Sequence, residues 1–123
     1  MVANRSRIEK LRMTLRAVFY RESGYWVAHC LEMDVMGHDV NKRRALRKLT
    51  QAISLQINES LAANNHRNIF MPADARFFEM FAAGKDVAKG VCVVEEEKLS
   101  AAKNEVTIER IEKREYRNAL AMA

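Results

Sequence analysis

The sequence predicts an α+β fold, with a three-stranded antiparallel meander packed on a long helix, then a second short helix and one or two late strands. Two periodicities predict it. Apolar residues alternate over residues 13–20, as in a strand, and recur at helical spacing over residues 42–63. A chain of 123 residues suffices for one hydrophobic core. We therefore expect one domain over residues 1–123, with residues 85–123 as a C-terminal extension.

The meander follows from alternation and turn chemistry. Residues 13–20 place every second side chain on one face, and residues 21–24 predict a turn because they end in Ser-Gly. Residues 25–31 are rich in aromatic and β-branched side chains. The short connection makes the two strands an antiparallel hairpin. Residues 35–40 are expected as a third, shorter strand.

The long helix is expected to begin after Asn41, a good N-cap, and to stop near Asn64-Asn65. Its apolar residues recur every three or four positions: Leu46, Leu49, Ile53, Ile57 and Leu61. This stripe can cover one face of the meander. We therefore expect Leu46, Leu49 and Ile53 to face Leu15 and Phe19.

The remaining elements are less regular. Pro72 can open a second helix at its first turn, over residues 73–83 and ending at Gly84, with three phenylalanines, Phe77, Phe78 and Phe81, on one face. A strand is expected over residues 90–94. Residues 95–104 fit a helix and a loop equally well. For residues 105–117 the early alternation favours a strand over a helix.

The net charge of +5 is concentrated in two basic blocks, residues 5–21 and 42–48, each of which carries +5. The second block supplies the candidate binding residues: Lys42, Arg43, Arg44, Arg47 and Lys48. They fit the solvated face of an amphipathic helix, and they equally fit a surface that meets phosphates or an acidic protein. No aromatic residue is interleaved with them, so the block is not a specific nucleic-acid signature.

Several classes of protein are not supported by the sequence. No stretch reaches the roughly 18 apolar residues that span a bilayer, and the charged N-terminus lacks the apolar core of a signal peptide. We therefore expect a cytoplasmic protein that does not contact membranes. Cys30 and Cys92 are isolated, so both are expected to be free thiols rather than zinc ligands or a disulfide.

Catalysis is not expected either. A metal-dependent nuclease needs carboxylates on its central strands, and residues 13–20 contain none. The clustered acids are Glu32, Asp34 and Asp39, for which a solvated turn is the favoured interpretation. His29 lacks the spacing of a metal motif and is expected to be a satisfied strand histidine. The prediction is a protein without enzymatic activity, metal or other cofactor.

The aromatic residues bear on assembly. Tyr20, Tyr25 and Trp26 lie at the hairpin, where a place in the sheet core or at a subunit interface is favoured over a base-stacking platform. A chain of this size has few residues with which to bury these aromatics and to cover the edge of the sheet. We therefore expect a homo-oligomer, a dimer or a tetramer.

The order of hairpin, strand and helix, together with the residues from Gly24 to Ile53, resembles the HicB-like antitoxin domain. The residues that carry the resemblance over residues 13–61 are Gly24, Tyr25, Val27, Ala28, Cys30, Glu32, Met33, Asn41, Ala45, Leu46, Leu49, Ala52 and Ile53. The resemblance implies a partial RNase H-like fold of three antiparallel strands, a helix and a further strand. It also implies a dimer or tetramer that neutralises a HicA-type ribonuclease toxin.

Two departures from this family bear on function. Residues 85–123 do not supply the DNA-binding module that full antitoxins carry, so the chain resembles a stand-alone version of the domain. The first turn of the long helix carries basic residues where the family often has acids, and these oppose the helix dipole. The leading hypothesis is therefore a HicB-like protein-binding module. The alternative is a non-specific nucleic-acid-binding protein that uses both basic blocks.

Overall fold

The computed structural model describes residues 9–63, 65–86, 97–101 and 104–117. In chain order the elements are β1 (Glu9–Glu22), β2 (Tyr25–Cys30), β3 (Val35–Asp39), α1 (Lys42–Ala62), a 3₁₀ turn (His66–Ile69), α2 (Ala75–Ala83), β4 (Lys85–Asp86), β5 (Glu97–Ala101) and β6 (Asn104–Glu115). The predicted α+β layout is confirmed. Within the described ranges, neither helix combines the length and the apolar character needed to cross a bilayer.

The hairpin of β1 and β2 is longer than the alternation predicted. β1 continues to Glu22, which pairs with Tyr25, so the turn consists of Ser23 and Gly24 rather than residues 21–24. Both turn residues have positive φ, 52° at Ser23 and 84° at Gly24, as a two-residue connection of the right twist requires. β3 then pairs antiparallel with β2 and completes the meander.

The late strand β6 enters the middle of the sheet. It pairs in parallel with β1, so the strand order is β3-β2-β1-β6-β4, and β5 also pairs with β6. The strand predicted over residues 105–117 is therefore confirmed. Its side chains Val106, Ile108 and Ile111 are buried in the main core. The segment expected as an extension thus contributes to the core of the fold.

Residues 95–104, for which helix and loop both fitted the sequence, contain a strand instead. Glu97–Ala101 forms β5, which pairs antiparallel with β6 and places Leu99 opposite Val106. Strand formation depends on the neighbouring strand as much as on composition, so β6 decides the structure here. The strand expected over residues 90–94 lies outside the described residues.

α1 covers one face of the sheet, and the predicted apolar stripe is confirmed. Leu46, Leu49 and Ile53 are buried in one cluster with Leu15 and Phe19. Burying each such side chain contributes about 1.5–3 kcal/mol relative to leaving it in water. This cluster holds α1 on the sheet and fixes which side of the helix faces solvent.

α2 lies on the opposite face and begins later than predicted. Pro72 is not in its first turn, because the helix begins at Ala75 with Asp74 as its N-cap, whose carboxylate accepts the backbone N–H of Ala75 at 2.9 Å. A side-chain acceptor satisfies a backbone amide that the first helical turn leaves unpaired, which proline cannot do. Gly84 ends the helix as expected.

The aromatic side chains of α2 are covered largely from within the chain. Phe81 is buried, and Phe77 stacks on Tyr20 with ring centroids 5.8 Å apart. Three guanidinium groups lie over the three phenylalanine rings: Arg16 over Phe78 at 5.0 Å, Arg76 over Phe77 at 4.6 Å and Arg114 over Phe81 at 4.7 Å. These cation–π contacts cover part of each ring from within the chain.

At Gly37 the backbone of α1 lies directly against β3. A Cβ atom at this position would lie 2.3 Å from the carbonyl oxygen of Ala45 and 2.4 Å from the amide nitrogen of Leu49. Both are backbone atoms and cannot rotate away. Only glycine fits beneath the helix here, and its missing Cβ lets α1 pack directly onto this strand.

Replacing Gly37 with alanine should therefore destabilise the fold strongly. Overpacking a close contact typically costs about 1–3 kcal/mol, and a clash with two backbone atoms belongs at the upper end. The free energy of unfolding, measured in urea through Trp26 fluorescence, reports this loss. His38→Ala on the same strand is the control, because that side chain is exposed and its loss should cost at most about 0.5 kcal/mol. Equal midpoints for the two variants would contradict the close approach.

Candidate binding surface

The candidate basic residues lie in the first two turns of α1. The helix begins here because the side-chain oxygen of Asn41 accepts the backbone N–H of Arg44 at 3.0 Å, which confirms the predicted N-cap. The first turn contains no acidic residue. Cations in this position oppose the helix dipole by a few tenths of a kcal/mol each, roughly, when exposed. Their placement is not explained by the stability of the helix alone.

Lys42 turns away from the other four basic residues. Its ammonium group pairs with the carboxylate of Glu115 at the end of β6 and lies 4.4 Å from the ring centroid of Trp26. Burial tends to raise the pKa of Glu115, but Lys42 and Arg117 lower that pKa below its usual value. Lys42 therefore ties the start of α1 to the sheet and does not join the exposed surface.

Arg44 and Lys48 form one flank of α1 and share one carboxylate. Arg44 Nε lies 3.2 Å from Asp39 Oδ1, and Lys48 Nζ lies 3.1 Å from Asp39 Oδ2. The backbone N–H of Asn41 also donates to Asp39 at 3.0 Å. This amide, Lys48 and Arg44 together lower the pKa of Asp39 below its usual value. Both cationic side chains remain 56% exposed, so Asp39 orients them without covering them.

Arg43 and Arg47 are exposed on the other flank of the same two turns. We define the α1 basic face as Arg43, Arg44, Arg47 and Lys48. Asp39 pairs with two of these four cations, Arg44 and Lys48. All four lie on the exposed side of a helix whose opposite side is fixed in the core.

The first basic block does not join this face. Residues 5–8 lie outside the described part of the chain. Arg12 pairs with Glu109 at 3.2 Å and Arg16 with Glu32 at 2.6 Å. Both arginines alternate with the buried β1 residues that contact α1, so they lie on the opposite side of the sheet. Arg12 and Arg16 are therefore separated from the α1 basic face, whereas Arg21 lies over the ring of Trp26, which Lys42 also contacts.

The acids clustered in the sequence are distributed among different partners. Glu32 holds Arg16, Asp34 contacts His29, and Asp39 holds the flank of α1. No group of three or more histidine, cysteine, aspartate or glutamate side chains within the described residues is arranged to hold a metal ion. The structure thus gives each of these acids a local structural role.

His29 is buried and satisfied at both ring nitrogens, as predicted for a strand histidine. Nε2 lies 2.7 Å from Asp34 Oδ1, and Nδ1 lies 3.0 Å from the hydroxyl of Tyr20. These contacts fit a ring that donates to Asp34 and accepts from Tyr20. Asp34 has a positive φ of 53°, which is uncommon for aspartate and turns its carboxylate toward the ring. No sequence pattern predicts this pair, because a spacing of five residues fits neither a strand nor a helix contact.

Two further groups that carry acid–base or nucleophilic chemistry are inert at neutral pH. Burial raises the pKa of the Cys30 thiol to about 12 and that of the Tyr20 phenol to about 12. Cys30 is a free thiol in the core, as expected, whereas Cys92 lies outside the described residues. A thiol with so high a pKa is almost entirely protonated and is a poor nucleophile.

Replacing His29 with alanine should destabilise the protein. The variant leaves the buried Tyr20 hydroxyl with only the sulfur of Met36, 3.9 Å away, as an acceptor. Leaving a buried polar group without its partner costs about 1–3 kcal/mol, and the lost ring adds a cavity. Thermal or urea unfolding measures the effect, with Asp34→Asn as the milder control because the amide oxygen still accepts. An unchanged stability of the His29→Ala variant would exclude a structural role for the pair.

Comparisons with known proteins found no match for this chain: no protein-family model, curated protein or solved structure matches it. The resemblance to the HicB-like antitoxin domain rests on residues 13–61 and on the order of the elements.

Proposed function

We propose that this chain is a HicB-like protein-binding module that contacts an acidic protein surface through the α1 basic face. The observation that carries the proposal is a group of four exposed cations, two of them oriented by Asp39, on a helix whose other side is buried. Binding through a fixed helix loses little backbone freedom, and complementary charge raises the association rate and selects partners. This function requires neither catalysis nor a cofactor.

The resemblance supplies the class of partner. It implies an antitoxin that binds a HicA-type ribonuclease toxin in the cytoplasm and acts as a dimer or tetramer. The order of three antiparallel strands, a helix and a further strand supports this proposal, because it is the layout that the resemblance implies. For the α1 basic face to contact such a toxin, the toxin must present carboxylates there.

Non-specific nucleic-acid binding is the second candidate, and the same four cations favour it because guanidinium groups also bind phosphates. Two observations weigh against it. The carboxylate of Asp39 lies between Arg44 and Lys48, where it would repel a phosphate. Arg12 and Arg16 lie on the other side of the sheet, so neither of them extends the α1 basic face.

A titration with RNA and duplex DNA at two salt concentrations separates these functions. Each phosphate contact releases counterions, so an affinity due to nucleic-acid recognition falls steeply with salt. We expect dissociation constants of roughly 10⁻⁴ M or worse at physiological salt, as for unspecific attraction. A sub-micromolar, sequence-selective constant at that salt would overturn the protein-binding proposal.

Two matched variants identify the surface that any residual binding uses. One reverses the charge of Arg43, Arg44 and Arg47 on the α1 basic face. The control reverses Arg67, Lys85 and Arg110, which are exposed elsewhere and change the net charge equally. Under our proposal both variants lose the same small affinity for nucleic acid, because that affinity reflects net charge alone. A loss confined to the first variant would favour the nucleic-acid function.

A further inference from the structure

β3 is the end strand of the sheet as the structure describes it. In an antiparallel pair, alternate residues turn their N–H and C=O groups toward the partner, and the others turn them outward. β2 therefore satisfies only half of the backbone groups of β3. The side chains of Met36, on this strand, and Val40, just after it, are 40% and 60% exposed. An edge of this kind is a template for another strand.

The cationic flank of α1 stands beside this edge. The contact at Gly37 places the helix directly on β3, and Asp39 on β3 holds Arg44 and Lys48 in position. Leu55 follows Arg44 by eleven residues, about three helical turns, and so lies on the same flank. Its side chain is 60% exposed. The open edge is thus bordered on its α1 side by two cations and one apolar side chain.

We propose that an extended acidic segment of a protein partner adds to β3 as the next strand of the sheet. Its backbone would pair with the outward N–H and C=O groups of β3, as in other strand-addition complexes. Because side chains alternate, every second residue of the segment would face α1. Carboxylates at those positions meet Arg44 and Lys48, and the intervening residues lie toward Met36 and His38. This inference rests on the proposed protein-binding function and specifies its partner.

A second copy of the chain fits this edge less well. A symmetric antiparallel pairing of two β3 strands would set the two α1 helices side by side over one continuous sheet. Arg44 and Lys48 of each copy would then face the same two cations of the other, and like charges brought together oppose association. An acidic strand instead neutralises this flank. The positive charge of this flank therefore favours an acidic strand over a second copy of the chain.

The probe for this proposal is a fluorescein-labelled ten-residue peptide of alternating glutamate and valine, titrated against the full chain by fluorescence anisotropy. A lysine–valine peptide of the same length tests charge. A fully N-methylated form of the glutamate–valine peptide tests backbone pairing, because it has no N–H to donate. We expect both comparison peptides to bind about tenfold more weakly or worse. Equal affinity of the N-methylated peptide would overturn the proposal, because simple charge attraction would then explain the binding.

Two double variants of the protein test which flank of α1 the peptide contacts. Arg44→Gln with Lys48→Gln should weaken binding of the glutamate–valine peptide by about tenfold. Arg43→Gln with Arg47→Gln removes the same charge from the opposite flank of the same turns and should change it by less than about threefold. Circular dichroism checks that both variants are folded. The reverse order of effects would overturn the proposal.

Amide chemical shifts in NMR spectra provide a readout that does not depend on any variant. On addition of the glutamate–valine peptide, the changes should be concentrated at residues Val35–Asp39 of β3. Changes confined to α1, no binding at millimolar peptide, or a β3-mediated dimer of the chain that excludes the peptide would each overturn the inference. If nucleic-acid binding stays weak at the same time, the protein-binding function survives and only the assignment of the edge falls.

Discussion

The close contact between α1 and β3 at Gly37 determines where α1 lies on the sheet. It needs a residue without a Cβ, because the backbone of the helix occupies the space where that atom would lie. With α1 held there, Leu49 enters the core and Arg44 and Lys48 reach Asp39. One small residue thus couples the packing of the core to the position of the charged surface.

The two faces of the sheet are buried by different kinds of contact. α1 buries an aliphatic stripe on one face, which needs no partner beyond the sheet. On the other face α2 is short, and arginines from three different elements complete the cover of its phenylalanines. Arginine can do this because its planar group stacks on an aromatic ring while it remains in contact with water. Arg16, one residue of the first basic block, therefore helps to close the fold.

Regular periodicity made much of the fold predictable. The hairpin, α1 with its cap at Asn41, and β6 follow from local patterns that the structure retains. β5 and the pairing of Lys42 with Glu115 depend on contacts with distant parts of the chain, and no local pattern encodes such contacts. The same limit applied to the candidate surface. The charge pattern of the sequence identified all four cations of the α1 basic face. Only the topology shows that Arg12 and Arg16 lie elsewhere and that Arg44 and Lys48 lie beside the edge strand β3.

A partner strand can add to β3 only if the outer edge of that strand is open. Amide hydrogen exchange on the full chain, resolved by residue with NMR, measures whether it is. In a strand paired on one side only, amides that donate to β2 exchange slowly and those that point outward exchange rapidly. We therefore predict alternating protection along Val35–Asp39. Uniformly slow exchange at all five residues would contradict the account, because it would mean that this edge is already covered.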